Sequence, residues 1–164
     1  MSDWPLSTHL AHLRHALTLA QSCPPTTTAF SVGAVLVSPR GSVLSTGYSR
    51  ELPGNTHAEQ NALTKLLPAT PPAGSVLYTT MEPCSERLSG NTPCLDRILF
   101  PENRGITVVV VGVKEPSTFI AENVAERNLK DAGVEYLYVG GLEGEILEAA
   151  TKGHGKKKKE EDTA

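Results

Sequence analysis

At 164 residues the chain is long enough to bury one core without disulfide staples and short enough for a single domain. Hydrophobic residues make up 39% and charged residues 20%, with no apolar run of membrane-spanning length and no basic segment leading into an apolar one, so a soluble, unsecreted protein with no membrane partner is expected. A formal net charge of −3 argues against a nucleic-acid partner, because such affinity rests on clustered Lys and Arg, while a small anion needs only one or two cations.

The cysteines number three, an odd count that does not read as a disulfide framework and fits a reducing, cytoplasmic setting. From Leu6 to Gln21 the residues Leu6, Leu10, Leu13, Leu17 and Ala20 recur every three or four places, which predicts an amphipathic helix with Ser7 or Thr8 as its cap. His9, His12 and His15 lie three apart on it. They are read as a solvated polar face rather than a metal face, since no Cys or carboxylate sits among them. Cys23-Pro-Pro ends the helix, with Cys23 read as a small buried hydrophobe.

Residues 29–37 and 42–48, divided by Pro39-Arg40-Gly41, predict a β-hairpin. Gly33 inside it marks either a bulge or the close approach of a ligand or another backbone. A second helix is expected from about His57 to Leu67, capped by Asn55 or Thr56. The segment 68–74 leads to a strand over 75–80, and a helix is expected from Cys94 to Phe100. The Val-rich run Ile106 to Val113 reads as a parallel strand covered on both faces; a helix over 121–131 closed by Gly133 and a strand over 134–139 follow. A hairpin followed by alternating strands and helices predicts an α/β fold: a mixed five-stranded sheet with helices on both faces and ligand chemistry at the carboxyl ends of strands. One short helix is expected after Glu143. The domain is taken as 1–152, and 153–164, with Lys156 to Lys159, as a charged tail expected to be disordered; a nuclear-localisation patch is the rival reading.

The residues with chemistry in them are His57-Ala-Glu59, Cys84 and Cys94. One His and two Cys make a complete first shell for a catalytic zinc, which keeps its fourth position open. A structural zinc would want a fourth protein ligand, for which Glu59 and Cys23 are the candidates. Placed in the first turn of a helix, Glu59 reads instead as the proton shuttle between a zinc-activated water and a departing amine. Taken singly, His57 could be a helix-start residue and the cysteines core thiols; it is the joint arrangement that points to a zinc hydrolase.

His-x-Glu followed by Pro-Cys resembles the zinc nucleobase deaminases, in which Cys-x-x-Cys is the usual ending. Here nine residues, Ser85 to Pro93, separate the cysteines. That insertion is similar to the pyrimidine deaminases of riboflavin biosynthesis. The wording Glu82-Pro-Cys-Ser-Glu-Arg-Leu-Ser-Gly-Asn91, with Arg50-Glu-Leu-Pro-Gly-Asn-Thr-His-Ala-Glu-Gln60 upstream, resembles their fungal form. The likeness runs over about residues 9–140. It implies a cytidine-deaminase-like three-layer α/β/α fold, bound Zn²⁺ on His57, Cys84 and Cys94, and Glu59 as the catalytic residue. The implied reaction is hydrolysis of the 2-amino group of 2,5-diamino-6-ribitylamino-4(3H)-pyrimidinone 5'-phosphate to a carbonyl, releasing ammonia. Bacterial relatives carry Asn-Pro at the strand entry and Ser-His and Lys between the cysteines; here the entry is Ala29-Phe30-Ser31 and the segment Ser85 to Pro93 differs, so bacterial substrate contacts do not transfer.

The candidate substrate contacts are Arg50, Asn55, Glu82, Arg87, Ser89 and Asn91. Arg87, Ser89 and Asn91 lie in a loop held at both ends by metal ligands and Arg50 and Asn55 just ahead of the helix start, where a phosphate would be met; Glu82 is expected on ring N–H or amino groups. With no reductase segment following in this chain, a stand-alone deaminase is expected, and the resemblance implies a homodimer. The rivals are a tRNA adenosine deaminase or a free cytosine or guanine deaminase, both favoured by short Cys-x-x-Cys spacing, and an inactive binding module, in which Glu59 would usually be replaced.

Overall fold

A computed structural model describes residues 3–85, 91–114 and 124–154. Helix α1 spans Leu6–Gln21, as its periodicity predicts. Its cap is not Ser7 or Thr8 but Pro5, whose carbonyl accepts from Thr8 N at 2.9 Å and His9 N at 3.3 Å. The buried face comprises His9, Leu13, Ala16, Leu17 and Ala20, whereas Leu6 stays exposed. His9 thus corrects the expectation of a solvated histidine face: its Nδ1 lies 2.8 Å from the Tyr78 hydroxyl, so the burial of that nitrogen is offset by a hydrogen bond, while its Nε2 is buried without one. His15 is exposed, as expected, and His12 stacks against Tyr78 with ring centroids 4.8 Å apart.

Strand β1 covers Gly33–Val37 and β2 Val43–Tyr48. The expected start at Ala29 fails for a reason of donors: Ser31 N bonds to Ala150 O at 3.0 Å and Val32 N to the Ser49 hydroxyl at 2.9 Å, so the chain joins the ladder only from Gly33. Gly33 marks a close approach of backbone, since a Cβ there would stand 1.8 Å from Ala16 O of α1. Gly47 does the same for the next helix, α2 (Ala58–Leu66), where a Cβ would meet Ala58 O at 2.1 Å. This second contact seats the start of α2 directly on β2.

Strand β3 is Ser75–Met81, α3 Cys94–Ile98, β4 Ile106–Val113, β5 Glu135–Tyr138 and α5 Glu143–Ala150. Helix α3 is shorter than expected because the chain turns into a 3-10 segment at Pro101–Asn103. The described part of α4 is Val124–Asp131, and the expected beginning of that helix at Ala121 lies outside the described residues. Gly133 follows it at φ 81, the left-handed cap its position predicted.

The sheet order is β2-β1-β3-β4-β5, with β1 antiparallel to both neighbours and β3, β4 and β5 parallel. Alternation along the strands divides the core in two. Val35, Val37, Val76, Tyr78, Val108 and Val110 meet α1 and α5, and Ala34, Leu36, Leu77, Val109 and Val111 meet α2, α3 and α4. This is the expected three-layer α/β/α arrangement, and double coverage explains why the Val run of β4 does not alternate with polar residues. Beyond α5, Thr26 N donates to Lys152 O at 3.3 Å and His154 Nε2 donates to Ala29 O at 2.9 Å. The rest of the expected tail, from Gly155, lies outside the described residues. Among the described residues no helix is long and apolar enough to cross a membrane.

Candidate metal centre

The site assembles where α2 and α3 begin, beside the carboxyl end of β3. His57, not Asn55 or Thr56, is the cap residue of α2: its backbone is extended, at φ −97 and ψ 159, and its N–H donates to Gln60 Oε1 at 3.3 Å. Thr56 serves the approach instead, donating its hydroxyl to Leu52 O at 2.8 Å and accepting from Asn61 Nδ2 at 3.0 Å. Asn61, fully buried, also donates to Tyr48 O at 2.8 Å and so ties α2 to the end of β2. The sequence reading missed it; a polar residue one turn after His57, on the helix's inner face, was the available signal.

Cys84 follows β3 and Cys94 opens α3, where Cys94 N donates to Cys84 Sγ at 3.3 Å and Leu95 N to Cys84 O at 3.1 Å. His57 Nδ1 lies 3.5 Å from each of the two sulfurs. A tetrahedral zinc with bonds of about 2.3 Å to sulfur and 2.05 Å to nitrogen requires a nitrogen–sulfur separation of about 3.6 Å. The donors therefore stand at the spacing zinc would impose, and the ligand atoms of all three residues lie within 4.8 Å of one another. Among the described residues neither Cys23 nor Glu59 joins this group. Cys23 is buried near α1, its Sγ 3.9 Å from Leu19 O and Val32 O.

The two thiols are tightly coupled. The hydrogen bond from Cys94, aided by His57, draws Cys84 down to about 4, and the same contact together with burial pushes Cys94 up. Both thiols must lose their protons for a divalent cation to take the two sulfurs.

Glu59 is buried in the first turn of α2, with Oε1 accepting from the Thr79 hydroxyl at 2.7 Å. Burial pushes its carboxyl above the ordinary range, with the Thr79 bond opposing. A carboxyl so placed is suited to take up a proton and pass it on. Glu82 lies on the exit from β3, its N–H donating to Val113 O at 2.9 Å and its Oε2 accepting from the Tyr136 hydroxyl at 2.7 Å. Tyr136 is a partner that sequence reasoning did not find.

The remaining candidates divide. Arg50 stands at φ 64, the left-handed region, and its N–H closes the approach to His57 by donating to Thr56 O at 2.7 Å. Its guanidinium donates to Pro24 O at 3.2 Å, the Ser31 hydroxyl at 3.0 Å and Phe30 O at 3.5 Å. Asn55 and Asn91 are exposed, and Arg87 and Ser89 lie outside the described residues.

The cytidine and deoxycytidylate deaminase zinc-binding region matches residues 6–113 of this chain. The chain is 40% identical over 149 residues to the diaminohydroxyphosphoribosylamino-pyrimidine deaminase of Schizosaccharomyces pombe, a match that covers 89% of this chain and 36% of that protein. It is 35% identical over 130 residues to riboflavin biosynthesis protein RibD of Actinobacillus pleuropneumoniae, covering 78% of this chain and 32% of that one. It thus spans about a third of the length of the curated relatives it matches. In structure it is similar to the Aspergillus oryzae Rib2 deaminase, a C-terminal deletion mutant crystallised with DARIPP, at 39% identity and TM-score 0.78, covering 96% of this chain and 100% of that one. With its sheet order, its His57, Cys84 and Cys94 set and these matches, the chain belongs to the cytidine and deoxycytidylate deaminase family.

Proposed function

We propose that the chain is a zinc-dependent hydrolytic deaminase of riboflavin biosynthesis acting on 2,5-diamino-6-ribitylamino-4(3H)-pyrimidinone 5'-phosphate, with water replacing the 2-amino group and ammonia leaving. The observation that carries this reading is the pairing of His57, Cys84 and Cys94, a group that could hold a metal ion, with the buried Glu59 carboxyl, which among the described residues lies outside that group. Zinc bound there would lower the pKa of a water towards neutrality. His57, Cys84 and Cys94 would hold the metal, at the start of α2, beyond the end of β3 and at the start of α3. Glu59 accepts the proton of the attacking water and delivers protons to the ring nitrogen and then to the amine, making it a viable leaving group. Glu82, braced by Tyr136, is placed to accept from ring N–H or amino groups. The likeness to the S. pombe deaminase and to the Rib2 deaminase that holds DARIPP supports the substrate class.

Ammonia release from the diaminopyrimidine phosphate, set against cytosine, guanine and tRNA, tests the reading. Turnover of the first and not the others is the expected result. Preference for tRNA or a free base would replace it with one of the rival deaminases, and no turnover of any would favour a binding module.

A phosphomonoester brings close to two negative charges, which a chain of net charge −3 must meet locally. We assign this to Arg87 and Arg50, with Ser89, Asn91 and Asn55 as further candidate contacts to the substrate. Arg87→Ala is expected to raise KM for the phosphorylated substrate roughly ten- to hundredfold, the size of a charged hydrogen bond, and to leave the dephosphorylated analogue little changed. Arg50→Ala should do likewise but also loosen the 24–31 loop, so its Tm must be read alongside. Equal weakening of both substrates by both variants, or no effect, would move the phosphate contact elsewhere.

The family resemblance further supports a homodimer, which light scattering at micromolar concentration would rule out by showing monomer alone. Three unpaired cysteines, two of them in the metal centre, support a cytoplasmic setting. Recovery of the protein only in the secreted fraction would contradict that.

A further inference from the structure

Glu59 works only if its carboxyl faces the water and the ring, and a glutamate's terminal torsion is broad and nearly two-fold, so something must hold it. Besides the neighbouring Cys94 thiol, its side-chain hydrogen-bond partner is Thr79, which is fully buried on β3, the central strand, paired with Ala34 of β1 and Val111 of β4. The Thr79 hydroxyl stands 2.7 Å from Glu59 Oε1 and also 2.7 Å from Met81 O. A hydroxyl has one proton and two lone pairs. Were Thr79 there only to satisfy itself, Met81 O would suffice; the second contact, at equal distance and to a carboxyl on a different element, has no such explanation.

We propose that Thr79 is a positioning residue for Glu59: by engaging Oε1 from the rigid centre of the sheet it stops the carboxyl rotating and leaves Oε2 as the oxygen that meets water and substrate. With Thr79 donating to Oε1, a proton that Glu59 takes from water is carried on Oε2, the oxygen turned to the substrate. The strand that orients the base also runs, five residues on, into Cys84, so the base and one metal ligand are referred to the same rigid element. The kinetic part of this inference rests on the deaminase reading; the structural part does not.

Thr79→Val keeps the side chain's shape and removes the hydroxyl, and Thr79→Ser keeps the hydroxyl. With the zinc-loaded protein, the Val variant is expected to lose kcat by about 10- to 100-fold, the scale of a misplacement near 1 Å. KM should stay within about twofold, because uniform substrate binding is untouched. The Ser variant should recover most of kcat. Zinc content should match the parent in both, and a crystal structure of the Val variant should show the Glu59 carboxyl turned from its parent position. A Val variant with parental kcat, a Ser variant as impaired as Val, or a fall confined to KM would overturn the proposal. If the parent itself releases no ammonia, the deaminase reading fails separately, and the crystal structure alone then decides: an unmoved Glu59 carboxyl overturns the positioning role.

Discussion

Glu59→Gln is expected to fold, to bind zinc and to lose between about 10² and 10⁴ of its turnover, the usual contribution of one general acid/base, or more if both proton transfers fail. The amide keeps the size of the side chain and a carbonyl that accepts from Thr79, but it takes no proton from water and gives none to the amine. Zinc content should not change, because Glu59 lies outside the ligand group of His57, Cys84 and Cys94. Folding should not suffer either. Burial raises this carboxyl, so the native state binds its proton more tightly than the unfolded chain, and stability falls as pH rises from the ordinary carboxylate range through the raised value. The amide has no charge to desolvate and escapes that cost. Turnover and metal analysis on the same preparation check the result. Near-normal activity would mean another base, and Glu82, on the exit from β3 and bonded to Tyr136, is the one to remove next.

Cys84→Ala and Cys94→Ala are each expected to abolish zinc binding at stoichiometric metal, and with it turnover. Each removes one of three protein ligands and leaves a pair that cannot close a tetrahedral site. The losses differ in their structural side effects. Cys84 Sγ also accepts from Cys94 N, so Cys84→Ala frees the start of α3, whereas Cys94→Ala keeps that backbone contact and removes only the thiol hydrogen bond that draws Cys84 down. Both should lower Tm relative to the zinc-loaded parent, since a ligand that binds only the native state stabilises it by mass action. Metal content by elemental analysis, with Tm measured before and after chelation, checks this. Parental zinc occupancy in both variants would overturn the assignment of the metal to these residues.

Tyr136 and Glu82 show where reading a chain stops. Glu82 is singled out by its place beside Pro83-Cys84, but the hydroxyl that fixes its Oε2 comes from 54 residues away, on the edge strand of the sheet. Arg50 is similar: its position before the helix start marks it as an anion ligand, while the folded chain sets its guanidinium on the 24–31 loop, 19 to 26 residues earlier. In both cases residue type and neighbourhood are local, but the partner is chosen by strand order.

By itself the sequence pointed to the order of the elements and to a candidate metal set. Helix α1 follows from a stripe at every third or fourth residue, β4 from an unbroken Val run, and the three-layer order from a hairpin followed by alternating strands and helices. His57, Glu59, Cys84 and Cys94 were legible because each is tied to an element's end, and helix starts after strands gather at one edge of such a sheet. Only the tertiary structure decided which polar groups face one another. His9 sits on the apolar stripe of α1 because the Tyr78 hydroxyl, 69 residues on, lies beneath it. Glu59 meets Thr79 because of how α2 seats on the sheet. Gly33 proved to be a contact with α1 rather than a bulge. These pairings carry no periodicity of their own: a hydrogen bond between distant elements depends on register and helix height to within an ångström or so, and neither is written in the spacing of residues along one element.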